Sequence, residues 1–182
     1  SCILLKILTN FHEKKSQLST TYSLLKNKNM KQYIFILFTF LFTITTQAQE
    51  IEWLTWSEAI EKVNTDKNPK KLFVDVYTDW CGWCKKMDKD TFNNPKVAKY
   101  MQENFYMIKM DAEGKEAIVY KNKTFKYIPQ GNRGYHELAA ALLQGKLSFP
   151  TVIFLNENEE ILSPVPGYQK PDGFLMIAKY FG

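Results

Sequence analysis

Leu72-Phe73-Val74-Asp75-Val76-Tyr77-Thr78-Asp79-Trp80-Cys81-Gly82-Trp83-Cys84-Lys85-Lys86-Met87 is the stretch that decides the fold. Leu72 to Tyr77 is short, β-branched and aromatic, the composition of a central strand buried on both faces. A helix is expected from near Cys81 to Lys89. At a helix start, residues three apart are neighbours, so the sulfurs of Cys81 and Cys84 can pair. The helix N-terminus also favours a thiolate, the attacking form of a cysteine. Cys81, expected to be the more exposed, is read as the nucleophile, and Cys84 as the resolving thiol.

Three other readings of the pair are open. A structural zinc site wants four ligands, but beyond residue 48 the chain offers two Cys and the single His136. A static disulfide across so short a loop would stabilise little. Two inert buried thiols fit poorly with an oxidising compartment. No metal site is expected.

Outward from this run, Thr55-Trp56-Ser57-Glu58 reads as a capping box, opening a helix with Trp56, Ala59, Ile60 and Val63 on one face. Asn94-Pro95 is an N-cap followed by Pro at the first helical position, with a helix to about Asn104 and a strand over Phe105 to Met110. Ala117 to Tyr120 and Thr124 to Tyr127 flank Lys121-Asn122-Lys123 as a small hairpin, with the lysines on its wet face. Gly131 to Gly134 is read as a loop, too short for phosphate binding. Tyr135 to Leu143 is read as a helix ended by Gly145, with His136 at the surface or half-buried. Thr151 to Leu155 and Glu160 to Ser163 read as an antiparallel pair. Asp172 to Phe181 reads as a closing helix with Phe174, Ile177 and Tyr180 or Phe181 facing in. Strand–helix alternation followed by a hairpin implies a layered α/β domain.

The first 48 residues read differently. Tyr33 to Ile44 is an apolar run of 12 residues, preceded by Lys31 and followed by Thr46-Gln47-Ala48. This is the order of a secretory signal peptide over residues 30–48, with cleavage after Ala48. An uncleaved membrane tether is the alternative, although a spanning helix needs about 20 apolar residues. Residues 1–29 precede Met30 and read as an upstream extension outside the fold. The expectation is an exported protein, periplasmic or secreted, whose domain is residues 49–182. Of the 24 basic and 19 acidic residues, six and one lie in 1–48, leaving 18 of each beyond it. The basic excess therefore belongs to the leader, and nucleic-acid binding is not expected.

The residues around the cysteine pair carry a resemblance. Phe73 to Met87 resembles the active-site strand, turn and helix of the thioredoxin superfamily. Phe149-Pro150-Thr151, before a β-branched strand, resembles that family's cis-proline loop, and Gly167 sits where the family often has Gly. The resemblance implies a thioredoxin-like fold, a central mixed sheet flanked by helices. It implies thiol-disulfide exchange with exported proteins or redox carriers, as a reductant or isomerase, through a Cys81–Cys84 disulfide and without a dissociable cofactor. Partners would be protein thiols and disulfides and a membrane electron donor, and the protein a monomer. Asp75 would relay a proton to and from Cys84; a satisfied core carboxylate is the plainer reading. Pro150 would be cis beside Cys81. Trp80, Gly82, Trp83, Phe149 and Thr151 would form the substrate surface, although Trp80 also reads as a packed aromatic.

Two departures stand out. Gly82-Trp83 replaces the Gly-Pro of the common reductants, which leaves the direction of electron flow open. Asp111, aligned with the family's Asp at the end of its strand, puts Met107 where a Lys often neighbours the buried Asp; Lys109 is two residues off. The 38 residues between Asp111 and Pro150 are more than twice what the resemblance implies. They are read as containing an insertion, either a partner surface or a solvated decoration. If the insertion grips a partner and the disulfide is incidental, the protein is an adaptor instead.

Overall fold

In this computed structural model the described residues are Tyr33 and 50–182; the expected extension and leader lie outside the described domain, as does the expected cleavage point. Residues 50–182 belong to one compact unit. Helix α1 (Trp56–Thr65) starts on the expected capping box: Thr55 N donates to Glu58 Oε2 at 2.8 Å and Glu58 N to Thr55 Oγ1 at 3.3 Å. Strand β1 (Lys71–Tyr77) follows, then helix α2 (Gly82–Met87), a π-helical turn (Asp88–Phe92), helix α3 (Pro95–Asn104) and strand β2 (Phe105–Asp111). Asn94 caps α3 through Lys96 N at 3.0 Å, with Pro95 at the position where a missing N–H costs nothing.

The chain then departs from the expected single hairpin and loop. Strands β3 (Ile118–Tyr120) and β4 (Lys123–Phe125) pair antiparallel, and β5 (Tyr127–Gln130) and β6 (Arg133–His136) form a second hairpin. The expected loop at Gly131–Gly134 is thus a two-residue turn, Gly131 and Asn132, plus the start of a strand. Gly131 takes φ +59°, which a glycine tolerates. Helix α4 (Glu137–Leu142) begins two residues later than expected, because Tyr135 and His136 complete β6.

Strands β7 (Thr151–Leu155) and β8 (Ile161–Pro166) and helix α5 (Pro171–Phe181) close the domain. The main sheet runs β2-β1-β7-β8, with β1 parallel to β2 and the other pairs antiparallel. This is the expected mixed sheet flanked by helices.

Strand alternation divides the core in two. Leu72, Val74 and Val76 face α1 and α4, packing with Trp56, Ala59, Leu138 and Leu142. Phe73 faces the other way, among Met87, Phe92, Phe154 and Phe174. Its ring centroid lies 5.8 Å from that of Phe92, 5.2 Å from Phe154 and 5.6 Å from Phe174. Edge-to-face packing of this kind adds about 1 kcal/mol per pair beyond simple burial. On α5, Phe174 and Ala178 are buried, whereas Tyr180 is 83 % exposed, so of the last two aromatics it is Phe181 that stacks on the core at Phe154.

Among the described residues no helix is long and apolar enough to cross a membrane.

Candidate active site

The two cysteines stand where β1 hands over to α2. Cys81 N donates to Thr78 O at 3.1 Å, turning the chain after the strand. Cys81 is then the N-cap of α2, and Cys84 N donates to its Sγ at 3.1 Å. The sulfurs are bonded to each other at 2.03 Å. Both residues are nearly enclosed, Cys81 at 4 % and Cys84 at 3 % exposure. The expected greater exposure of Cys81 is therefore slight. The asymmetry lies instead in the backbone: the Sγ of Cys81 is the one that a backbone N–H addresses. That N–H would stabilise a thiolate at Cys81 on reduction. Among the described residues, no three His, Cys, Asp or Glu side chains gather as a metal site.

Asp75 lies on the same face of β1 as Phe73. It is 2 % exposed, and its ion-pair partner is Lys109, with Nζ at 3.3 Å. Lys109 pairs directly with Asp75 in the β1–β2 register, so it is the lysine beside the buried Asp. The expectation that Met107 fills that position is corrected: Met107 lies opposite Phe73, in the apolar part of the same face. Lys109 also bonds Asp88 on the π turn and lies 4.7 Å from the centroid of the Trp53 ring. Burial pushes the Asp75 carboxyl up to about 6 from 3.8; the charge of Lys109 pulls it down and that of Asp88 pushes it up. A carboxyl poised near neutrality can hold and release a proton under working conditions.

Phe149-Pro150 is a cis peptide. Pro150 O accepts from Gly167 N at 2.8 Å, with Gly167 at φ +86°, and Thr151 Oγ1 donates to Ser148 O at 2.7 Å. Thr151 lies opposite Val76 near the end of β1, which brings the proline loop to the sheet end where Cys81 follows.

Two aromatic walls stand at this end. Trp80, 51 % exposed, meets Phe149 edge-on with centroids 6.0 Å apart. Trp83, 59 % exposed, meets Tyr168 at 5.5 Å. Gly82 between them is exposed, and a side chain there would meet nothing within 4 Å. The second wall is pinned from behind: Tyr168 donates to Asp90 Oδ2 at 3.0 Å, and Asp90 pairs with Lys86 at 2.6 Å. Sequence reading did not single out Tyr168, Asp90, Asp88 or Arg133. The first three lie close to recognised landmarks, Gly167 and the helix after Cys84, but only packing shows their contacts.

His136 is buried at 1 % exposure, which corrects the surface or half-buried expectation. Its Nδ1 accepts from Leu138 N at 3.2 Å as the cap of α4, so Nε2 carries the proton toward Glu116 O at 3.0 Å.

A mixed sheet with a Cys-Gly-Trp-Cys turn after its central strand, a buried Asp–Lys pair within it and a cis-proline at the start of the neighbouring strand defines a thioredoxin-fold domain. Within that class, the family profile Thioredox_DsbH, described as a protein of unknown function (DUF255), matches residues 39–164, and the chain belongs to that family. It is 23 % identical to the disulfide bond reductase DsbH of Chlamydia pneumoniae, over 72 % of each chain. An uncharacterized protein of Caenorhabditis elegans is 27 % identical over 60 % of this chain, and human spermatogenesis-associated protein 20 is 26 % identical over 47 %. The chain spans only 17 % and 11 % of the lengths of those two relatives. Among solved structures, a Bacteroides thetaiotaomicron protein proposed to be a disulphide-isomerase is 27 % identical at TM-score 0.51, covering 74 % of this chain and 94 % of that one. A DsbH oxidoreductase superposes at TM-score 0.54 with 18 % identity, covering 76 % and 88 %, which speaks for the fold alone.

Proposed function

We propose that the chain is a thiol-disulfide oxidoreductase acting on polypeptide thiols and disulfides outside the cytoplasm, as a reductant or isomerase. The observation that carries this is the Cys81–Cys84 bond at the start of α2, with the Cys84 N–H on the Cys81 sulfur. Likeness to a relative named as a disulfide bond reductase supports the direction.

In the reducing direction the Cys81 thiolate attacks one sulfur of a substrate disulfide. The substrate bond breaks, a mixed disulfide forms and one substrate thiolate leaves, taking up a proton. Cys84 then gives up its proton, with Asp75 as acceptor, and attacks Cys81 Sγ. The mixed disulfide breaks, the Cys81–Cys84 bond forms and the second substrate thiol leaves. Two electrons pass to the substrate, and a dithiol donor must return them. The loop around the Phe149-Pro150 peptide is where an extended segment of the substrate would lie, while Trp80, Trp83 and Phe149 offer apolar contact. The chemistry resides in the cysteine pair, with no dissociable cofactor. The leader read over residues 30–48 supports export, with 49–182 as the working domain and a membrane donor as the source of electrons.

Equilibrating the full chain with thiol buffers gives its reduction potential. Known dithiol proteins span about −270 to −120 mV. A value near the low end supports the reductant; one near the high end makes the protein an oxidant; the absence of a reversible couple sinks the oxidoreductase reading and favours the adaptor.

A further inference from the structure

Trp80 is half exposed, yet it is held on three sides by three separate segments. Glu113 Oε1 accepts from its Nε1 at 3.0 Å. Phe149, from the proline loop, meets its ring edge-on. The guanidinium of Arg133 lies over the ring face, 4.5 Å from its centroid. Free exposed indoles sample several rotamers, and ordering one when substrate binds costs affinity.

Arg133 reaches Trp80 because the hairpin β5–β6 is bolted down. His136 N, at its base, donates to Ala112 O at 2.7 Å. Glu137 N donates to Lys126 O at 2.9 Å, and Lys126 N returns a bond to Glu137 Oε2 at 2.8 Å. Gly134 lets the two strands close up: a Cβ there would lie 2.3 Å from Ile128 O and 2.4 Å from the Tyr127 ring. Arg133 itself is exposed, and no ion pair joins it to a carboxylate among the described residues. Its defined contact is the indole.

We propose that Arg133 is a positioning residue for disulfide exchange, holding Trp80 as a fixed wall beside Cys81 so that the site takes polypeptide disulfides in preference to small ones. This rests on the oxidoreductase reading above. A polypeptide flanking the reactive cysteine lies along the wall and gains from its being preformed; a small disulfide needs only the sulfurs. A guanidinium over an indole face is attractive without any further partner, and a lysine ammonium keeps part of that attraction.

The test is turnover of the full chain with dithiothreitol as electron source. A disulfide-bonded polypeptide such as insulin is compared with a small aromatic disulfide, for wild type, R133A and R133K, at low and high salt. The expected result for R133A is a KM for the polypeptide raised about fivefold at nearly constant kcat, with a smaller rise for the small disulfide. R133K is expected to lie nearer to wild type, and the R133A defect to persist in high salt. Equal effects on both substrates, an unchanged KM in R133A, or R133K as impaired as R133A would each overturn the positioning role. So would a defect that vanishes in salt, which would mean that Arg133 reads the partner's charge. A wild-type chain that turns over neither substrate would sink the oxidoreductase reading itself, and this inference with it.

Discussion

Lys109 Nζ lies 3.3 Å from the buried carboxylate of Asp75 and is shared with Asp88 on the π turn. One cation thus serves two carboxylates of unequal burial. The arrangement leaves Asp75 only partly compensated, so desolvation dominates and its carboxyl sits near 6.

Folded Asp75 therefore holds its proton more tightly than the unfolded chain does. The stability it contributes is present in full below about pH 4 and is lost as pH rises through about 6. Asp75→Asn escapes that loss. The variant is expected to gain on wild type between those pH values, by up to about 3 kcal/mol above pH 6, as read by urea unfolding at several pH values.

On the proposed mechanism the same substitution removes the proton acceptor for Cys84. Release of the substrate from the mixed disulfide is expected to slow by about 100-fold in Asp75→Asn, with the first attack by Cys81 little changed. Single-turnover quenching that separates the two steps checks this; equal slowing of both would contradict it.

Lys109 and Asp88 push Asp75 in opposite directions. In Lys109→Met the pH at which the resolving step reaches half its maximum is expected to move up, and in Asp88→Asn to move down. Movement of both in one direction would show that the lysine does not mediate between the two carboxylates.

His136 links α4 to the segment before β3 through two hydrogen bonds while fully buried. His136→Ala is expected to cost about 2–4 kcal/mol, from the lost cap and the space left behind. Denaturant titration measures it, and a cost within error of zero would mean that the hairpin base is held by its backbone bonds alone.

The parts of the site that lie close together in sequence were legible there. The strand from Leu72 to Tyr77, the Cys81–Cys84 spacing, the Thr55 and Asn94 caps and the Phe149-Pro150-Thr151 loop are local patterns, and the structure forms each of them. Lys109 was not assigned because Met107 and Lys109 lie on the same face of β2, and only the parallel register with β1 selects between them. The β5–β6 hairpin was hidden by Pro129, Gly131 and Gly134, which weaken a strand signal over so few residues. Burial of His136 depends on Glu116, 20 residues away, and the position of Arg133 on Trp80, which lies 53 positions earlier in the chain. No window along the sequence contains either contact.

The most direct measurement is trapping. The Cys84→Ser and Cys81→Ser variants of the full chain are incubated with a disulfide-bonded polypeptide after reduction and removal of the reductant, and adducts are mapped by mass spectrometry. The expected result is a mixed disulfide through Cys81 that persists in Cys84→Ser, with little adduct in Cys81→Ser. No adduct in Cys84→Ser, or equal adducts in the two variants, would contradict Cys81 as the nucleophile of a thiol-disulfide oxidoreductase.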